Sequence, residues 1–193
     1  GNNFALIQAL IVIRTLLVAS KSEYNSSESI KGPLKGFIEE AMIDMPFIYQ
    51  LLLSQPLPDK SVEFLVRDIS LSKHQSTAIL NVIDSLSGEG RAYGIMLASK
   101  YVFWNKTNEN VEIGMHALHA FAIVSGLSAA IGSSMSHFDS SHFAACFQHI
   151  RVIALAVPEL LPTAVTLLTR LQASSNVSAG TGKKIEKLVF KIH

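Results

Sequence analysis

Apolar residues recur at steps of three and four along most of this 193-residue chain, which is the spacing of one helix face. Near the start, Leu6, Leu10 and Ile13 follow this spacing and predict a first helix over residues 3–20. Few segments show the apolar and polar alternation of a half-buried strand. The pattern therefore predicts an all-α fold.

Proline and glycine divide the rest of the pattern into further helices. Gly32-Pro33 is predicted to follow a loop over residues 21–31 and to open a second helix, because proline in the first helical turn loses no hydrogen bond. That helix is predicted to reach Ser54 with a bend at Pro46. A short helix, capped by Asp59 or Ser61, is predicted next. It ends near residue 69, and the later helices are predicted over about 71–87, 91–104, 111–133, 140–157, 158–173 and 183–193.

The clearest break is Ser87-Gly-Glu-Gly90, where two glycines around one acidic residue favour a turn. It predicts two packed helical subdomains of short antiparallel helices, residues 1–88 and 89–193. Residues 111–133 are almost uncharged and are expected at the centre of the second subdomain, with small residues between 126 and 132 that would let another helix approach. No internal repeat of 20–50 residues emerges, although helix pairs alone are compatible with a HEAT-like array.

Composition excludes several classes of protein. A charged fraction of 16% with 49% hydrophobic residues argues against intrinsic disorder and against a charged coiled coil. The single cysteine, Cys146, cannot form an intramolecular disulfide, so a disulfide-stapled secreted scaffold is excluded and a reducing cytosol fits best. The longest apolar stretches, residues 4–19 and 120–132, are too short or are interrupted, so no membrane span is expected, nor a signal peptide.

Charge is distributed unevenly along the chain. Residues 1–150 contain ten Lys or Arg and thirteen Asp or Glu, a net charge of −3, whereas residues 151–193 contain six and two, a net charge of +4. The predicted last helix is basic and amphipathic, as expected of a surface that docks on anionic lipid or on a partner. The candidate anion-binding residues of this end are Lys183, Lys184, Lys187, Lys191, Arg151 and Arg170.

Five of the seven histidines lie between His116 and His149. Histidine gains its charge near neutral pH, so a cluster at a subdomain junction would weaken packing as the pH falls. The candidate residues of such a switch are His116, His119, His142 and His149. Histidines that pack or cap between helices are the alternative interpretation.

A metal site is a weaker interpretation of the same segment. His142 and Cys146 lie four residues apart on one predicted helix and could share one ion with help from His116 or His119. Other candidates on that face lie up to about 15 Å along the helix axis, too far for the same ion. No metal and no other cofactor is therefore predicted.

Catalytic motifs are missing from the sequence. No Gly-x-Ser-x-Gly elbow occurs, and the segment Gly180–Lys184 lacks the residues that a complete phosphate loop requires. Cys146 lies beside Phe143 and Phe147, apolar surroundings that raise a thiol pKa and make the thiol inert. The sequence therefore predicts no catalytic residues and no enzyme.

Three short motifs resemble a known family. They are Gly32-Pro-Leu-Lys35 at the start of a helix, the Ser87–Arg91 turn, and the Asn-rich turn Asn105–Asn110. Their order and spacing over residues 30–120 resemble the matrix proteins of influenza-type orthomyxoviruses. The resemblance implies two all-α subdomains that polymerise into a layer under the viral envelope, with lipid on one side and ribonucleoprotein on the other.

The chain departs from that family in its basic residues. The helix that contacts nucleic acid in the family would fall near residues 111–123, which contain no Lys or Arg, and the Cys/His cluster of the family has no equivalent. A basic face would come instead from Lys31, Lys35 and Arg91, or from the carboxyl end.

The sequence thus favours a structural, matrix-type protein that self-assembles beneath a lipid envelope and binds anionic membrane. Ribonucleoprotein or RNA is a competing partner, and no small-molecule substrate is expected. The expected location is the virion beneath the envelope and the host cytoplasm or inner membrane face. The first alternative is a cytoplasmic, HEAT-like helical adaptor for protein partners. An enzyme, supported only by the histidines of residues 116–149, is the second.

Overall fold

The computed structural model describes residues 2–19, 28–44, 47–69, 74–88, 90–125, 140–173, 180, 183–184 and 186–187. All regular secondary structure within these residues is helical, which confirms the predicted all-α class. The chain divides into two compact units, Gly1–Val82 and Ile83–His193.

In the described residues of the first unit there are four helices, a π-helical turn and most of a fifth helix. These elements are α1 (Asn2–Ala19), α2 (Glu28–Asp44), α3 (Phe47–Leu53), α4 (Asp59–Glu63), the π-turn Phe64–Asp68 and α5 (Gln75–Ser85). Helix α3 packs against both α1 and α2. The fully buried side chains of this unit include Ile38, Ile48, Tyr49, Leu52, Leu53, Leu65 and Ile79.

Helix α2 begins earlier than predicted. It starts at Glu28 and contains Pro33, so the predicted loop is wrong for residues 28–31. Pro33 lies near the start of the helix, where it removes one backbone hydrogen bond without ending the helix. The predicted bend at Pro46 lies outside the described residues, between the end of α2 and the start of α3.

Ser61 has a different role from the predicted cap. Pro58 occupies the N-cap of α4 and no side chain caps the helix. Ser61 is buried instead, and its hydroxyl donates to the carbonyl of Leu17 in the last turn of α1. This bond gives a carbonyl of the last turn of α1 a partner on another helix, and it connects α1 to α4.

The second unit is built around α6. Its elements are α6 (Gly90–Trp104), α7 (Asn110–Val124), α8 (Ser140–Ala156), the 3-10 turn Pro158–Leu160 and α9 (Leu161–Ala173). Helix α6 packs against both α7 and α8 and buries Ile95, Leu97 and Val102. Helix α7 contacts α6, α8, the 3-10 turn and α9, so the predicted central position of residues 111–133 holds for the buried face of α7, while Met115 and His119 on its other face are exposed.

Close helix approach occurs at Gly114 of α7. A Cβ atom there would overlap with Cδ1 of Leu160 and lie 3.2 Å from Cγ2 of Ile153. The absence of a side chain thus lets α7 approach α8 and the 3-10 turn. The small residues 126–132, predicted to serve this purpose, lie outside the described residues.

Asn110 organises the turn between α6 and α7. Its Nδ2 donates to the carbonyl of Asn105 at 2.6 Å, and its Oδ1 accepts from the Thr107 hydroxyl at 3.1 Å. The predicted Asn-rich turn is confirmed over residues 105–109, and α7 begins at Asn110. These bonds fix the corner at which α6 ends.

The predicted subdomain boundary lies in the turn after α5. Gly88 of this turn has φ 54°, a left-handed conformation that glycine adopts without strain. The two compact units divide inside α5, between Val82 and Ile83. The boundary between residues 88 and 89 stays a prediction.

Candidate functional site

Three lysines near the carboxyl end lie on the surface of the second unit. Lys183, Lys184 and Lys187 are helical and exposed, and Arg170 is exposed in the last turn of α9. Within the described part of the chain, these four residues form no ion pair. Their positive charges therefore face solvent. Lys191 lies outside the described residues.

The other predicted basic residues lie on separate helices. Lys35 of α2 pairs with Glu39 at 3.8 Å, and the Lys31 side chain lies outside the described set. Arg91 is half-buried at the start of α6. Arg151 of α8 is half-buried, and its Nε atom is buried without a hydrogen-bond partner in the described structure. Lys31 and Lys35 belong to the first unit and the remaining candidates to the second.

The candidate histidines have separate partners. Nδ1 of His116 lies 2.6 Å from a carboxylate oxygen of Asp84, which connects α7 to the end of α5. Nδ1 of His149 lies 2.9 Å from the hydroxyl of Ser99. His119 is exposed, and the His142 side chain lies outside the described residues. The structure thus places His116 and His149 in two different contacts.

Both contacts are compatible with a protonated ring. The Ser99 hydroxyl donates to the Met96 carbonyl at 2.8 Å, so it accepts from the Nδ1–H of His149. A carboxylate only accepts, so His116 donates to Asp84, and protonation turns this bond into an ion pair. These two bonds do not support the prediction that packing weakens as the pH falls. That weakening stays a prediction.

Cys146 has the environment that the sequence predicts. It is buried, and burial raises the pKa of its thiol to about 11. A protonated thiol is neither a nucleophile nor a good metal ligand. Among the residues that the structure describes, no three His, Cys, Asp or Glu side chains come close enough to hold a metal ion.

An aromatic corner at the end of α6 was missed in the sequence. Phe103 and Trp104 pack edge to face with ring centroids 4.9 Å apart, yet they remain 53% and 41% exposed. Across the turn, Val111 and Met115 of α7 are exposed as well. The available signal was a pair of consecutive aromatic residues directly before a polar turn, because neighbouring residues on a helix cannot both face one core.

Helix α1 also exposes an apolar face. Ile13 and Leu17 are buried, whereas Ile11, Val12 and Leu16 are exposed. An apolar surface of this kind, outside the core, is typical of an interaction site. No single helix in the described part of the chain is long and apolar enough to cross a bilayer. The pair Ala145–Ala156 and Pro158–Ala173, bent by 118°, meets that test only when its two segments are taken together.

No protein family, curated protein or solved structure matches this chain. The resemblance to orthomyxovirus matrix proteins therefore stays a prediction. A proposal about function therefore rests on the exposed lysines, the aromatic corner and the exposed apolar face of α1.

Proposed function

We propose that the chain is a non-enzymatic structural protein of the viral matrix type that self-assembles on an anionic membrane. Its proposed location is the virion beneath the envelope and the inner membrane face of the host cell. The observation that carries the proposal is the exposure of the helical residues Lys183, Lys184 and Lys187. The exposed apolar residues of α1 and of the aromatic corner support the assembly part.

The lysines act through charge. Each Lys near an anionic bilayer contributes about 1 kcal/mol, so three give weak binding that salt screens. Such binding suits a layer, because many weakly bound copies hold together once they contact one another. Ribonucleoprotein remains the proposed partner on the other side of the layer.

Liposome flotation tests the membrane part. We expect the chain to float with phosphatidylserine-containing vesicles at low salt, and to remain at the bottom of the gradient with neutral vesicles or at high salt. The double variant Lys183→Glu/Lys187→Glu should lower the bound fraction at least about tenfold, since two attractive charges become repulsive. Electron microscopy of the vesicles then shows whether a continuous layer forms.

A matched control separates this surface from net charge. Lys60→Glu/Lys106→Glu changes the same number of exposed lysines elsewhere on the chain and should float like the wild type. Equal losses in both double variants would assign binding to overall charge. Failure of the wild type to float at low salt would overturn the membrane proposal.

An adaptor for protein partners is the alternative function. The aromatic corner favours it, because half-exposed Trp and Phe side chains are enriched at protein interfaces. Under this alternative, substitution of Trp104 abolishes partner binding and the lysine variants have no effect.

A further inference from the structure

The first of two surfaces of opposite charge is a groove along α1. Ile11, Arg14, Thr15 and Val18 line an open groove of about 350 Å³, and their spacing places them on one face of the helix. Arg14 is the only charged residue of α1. Its terminal nitrogens donate to the carbonyls of Gln55 and Pro56 at 3.4 and 3.2 Å, which holds the guanidinium at the groove. We call these four lining residues the α1 groove.

The second surface is the exposed face of α7, consisting of Val111, Glu112 and Met115. Glu112 is the only Asp, Glu, Lys or Arg in α7, and it is exposed. Within the described residues it forms no ion pair or hydrogen bond. Trp104 and Phe103 extend the apolar surface across the turn. We call Val111, Glu112 and Met115 the α7 face.

Charge identifies the occupant of the α1 groove. The groove is apolar with one positive charge, and the α7 face is apolar with one negative charge. Among the other described apolar residues of the first unit, the exposed Phe37 lies one helical turn from the exposed Glu40, which has the same sign as Glu112. The α1 groove is thus the surface that complements the α7 face.

We propose that the α7 face of one copy docks on the α1 groove of a second copy, with Glu112 beside Arg14. This inference rests on the self-assembly in the proposed function and names the surfaces that carry it. The two surfaces differ, so after the first contact each copy keeps its other surface free, and the pair presents one free α1 groove and one free α7 face. Head-to-tail contacts of this kind produce open chains and layers unless a ring closes.

Charge reversal with mixing tests the contact. Arg14→Glu gives a chain with two acidic surfaces, and Glu112→Arg gives a chain with two basic ones. We expect each variant alone to require at least a tenfold higher concentration than the wild type for assembly, measured by sedimentation and light scattering. An equimolar mixture should regain assembly, because every contact between the two variants again pairs opposite charges. A contact within one chain cannot be rescued by mixing.

Two charge reversals outside the α1 groove and the α7 face serve as controls. Lys60→Glu and Glu159→Arg, both at exposed positions outside the two surfaces, should assemble like the wild type alone and mixed. Circular dichroism confirms that each variant is folded. Assembly of either charge-reversal variant at the wild-type concentration, or no rescue on mixing, overturns this contact. If the wild type still coats anionic vesicles, the proposed function survives that result. A wild type that neither floats nor sediments overturns both.

Discussion

The backbone carbonyl of Leu65 shows how one buried polar atom is satisfied. It lies in the π-turn and accepts from the Tyr49 hydroxyl at 3.1 Å and from Nε2 of Gln75 at 3.4 Å. Nε2 of Gln75 also donates to the Tyr49 oxygen at 2.9 Å. All three groups are buried, so each bond replaces water that cannot reach the site. The network connects α3, the π-turn and α5.

Removal of the Tyr49 hydroxyl should destabilise the first unit. Tyr49→Phe leaves the Leu65 carbonyl with only the longer of its two side-chain bonds and removes an acceptor from Gln75, at a cost of about 1–3 kcal/mol. Urea denaturation measures this cost. Thr166→Val removes an exposed hydroxyl that bonds the Pro162 carbonyl, and it should change stability by less than about 0.5 kcal/mol. Equal effects of the two variants would show that the network contributes nothing.

Cys146 predicts a loss of stability at alkaline pH. Its folded pKa of about 11 lies above the ordinary thiol value of 9.0, so folding favours the neutral thiol. That contribution is complete below about pH 9 and is lost as the pH rises towards 11. Relative to Cys146→Ala, the wild type should lose about 1 kcal/mol of unfolding free energy between pH 8 and pH 10. If the unfolding free energies of the wild type and of Cys146→Ala change in parallel with pH, the raised pKa of the thiol is contradicted.

At the scale of elements, helix bounds are predicted well where apolar residues recur at helical spacing and glycine or proline lies at the ends. The predicted helix 91–104 matches α6 to within a residue, and the helix predicted from Pro158 to Ala173 corresponds to the 3-10 turn followed by α9, because glycine or proline marks each start. The start of α2 was wrong because Pro33 was taken as a first-turn residue, although a helix tolerates it one turn further in. The π-turn has no sequence signal, since tertiary bonds to Leu65 support it.

Gly114 provides a test of helix packing. Gly114→Ala should destabilise the second unit by about 1–3 kcal/mol, because the new methyl group overlaps with the buried Leu160 side chain. In contrast, Gly36→Ala in α2 meets no atom within 4 Å and should stabilise by up to about 1 kcal/mol. Thermal unfolding measures both changes. A stabilising Gly114→Ala would show that α7 lies farther from the 3-10 turn.

The candidate sites were less predictable than the helices. The sequence identified the basic end and correctly expected an inert Cys146. It grouped His116 with His149, which contact Asp84 and Ser99 separately, because sequence proximity does not give tertiary partners. The exposure of Phe103 and Trp104 was missed, since helical spacing alone does not reveal which apolar residues remain outside the core.

At the scale of the whole molecule, the two compact units differ in how their helices are covered. Helix α6 is surrounded by α7 and α8, whereas α1 contacts α3 and leaves four large apolar side chains exposed. Local stability follows the number of buried apolar contacts. We therefore expect α1, more than α6, to depend on contact with another surface that buries its exposed apolar side chains.

Hydrogen exchange measures this difference directly. In the dilute chain, the amides of α6 should exchange more slowly than those of α1, because opening α6 exposes far more buried apolar surface. Protection of α1 should rise when the protein assembles on anionic vesicles, whereas an assembly through other surfaces would leave α1 unchanged. Slower exchange in α1 than in α6 of the dilute chain would contradict the packing described here.

The burial of the only thiol in the sequence has a practical consequence for spectroscopy. With a pKa of about 11, Cys146 reacts slowly with maleimides at neutral pH while the chain is folded. A single cysteine introduced on the surface will therefore accept a fluorophore or spin label selectively in the native background. Distances between labelled copies in an assembled layer become measurable without any change to the core.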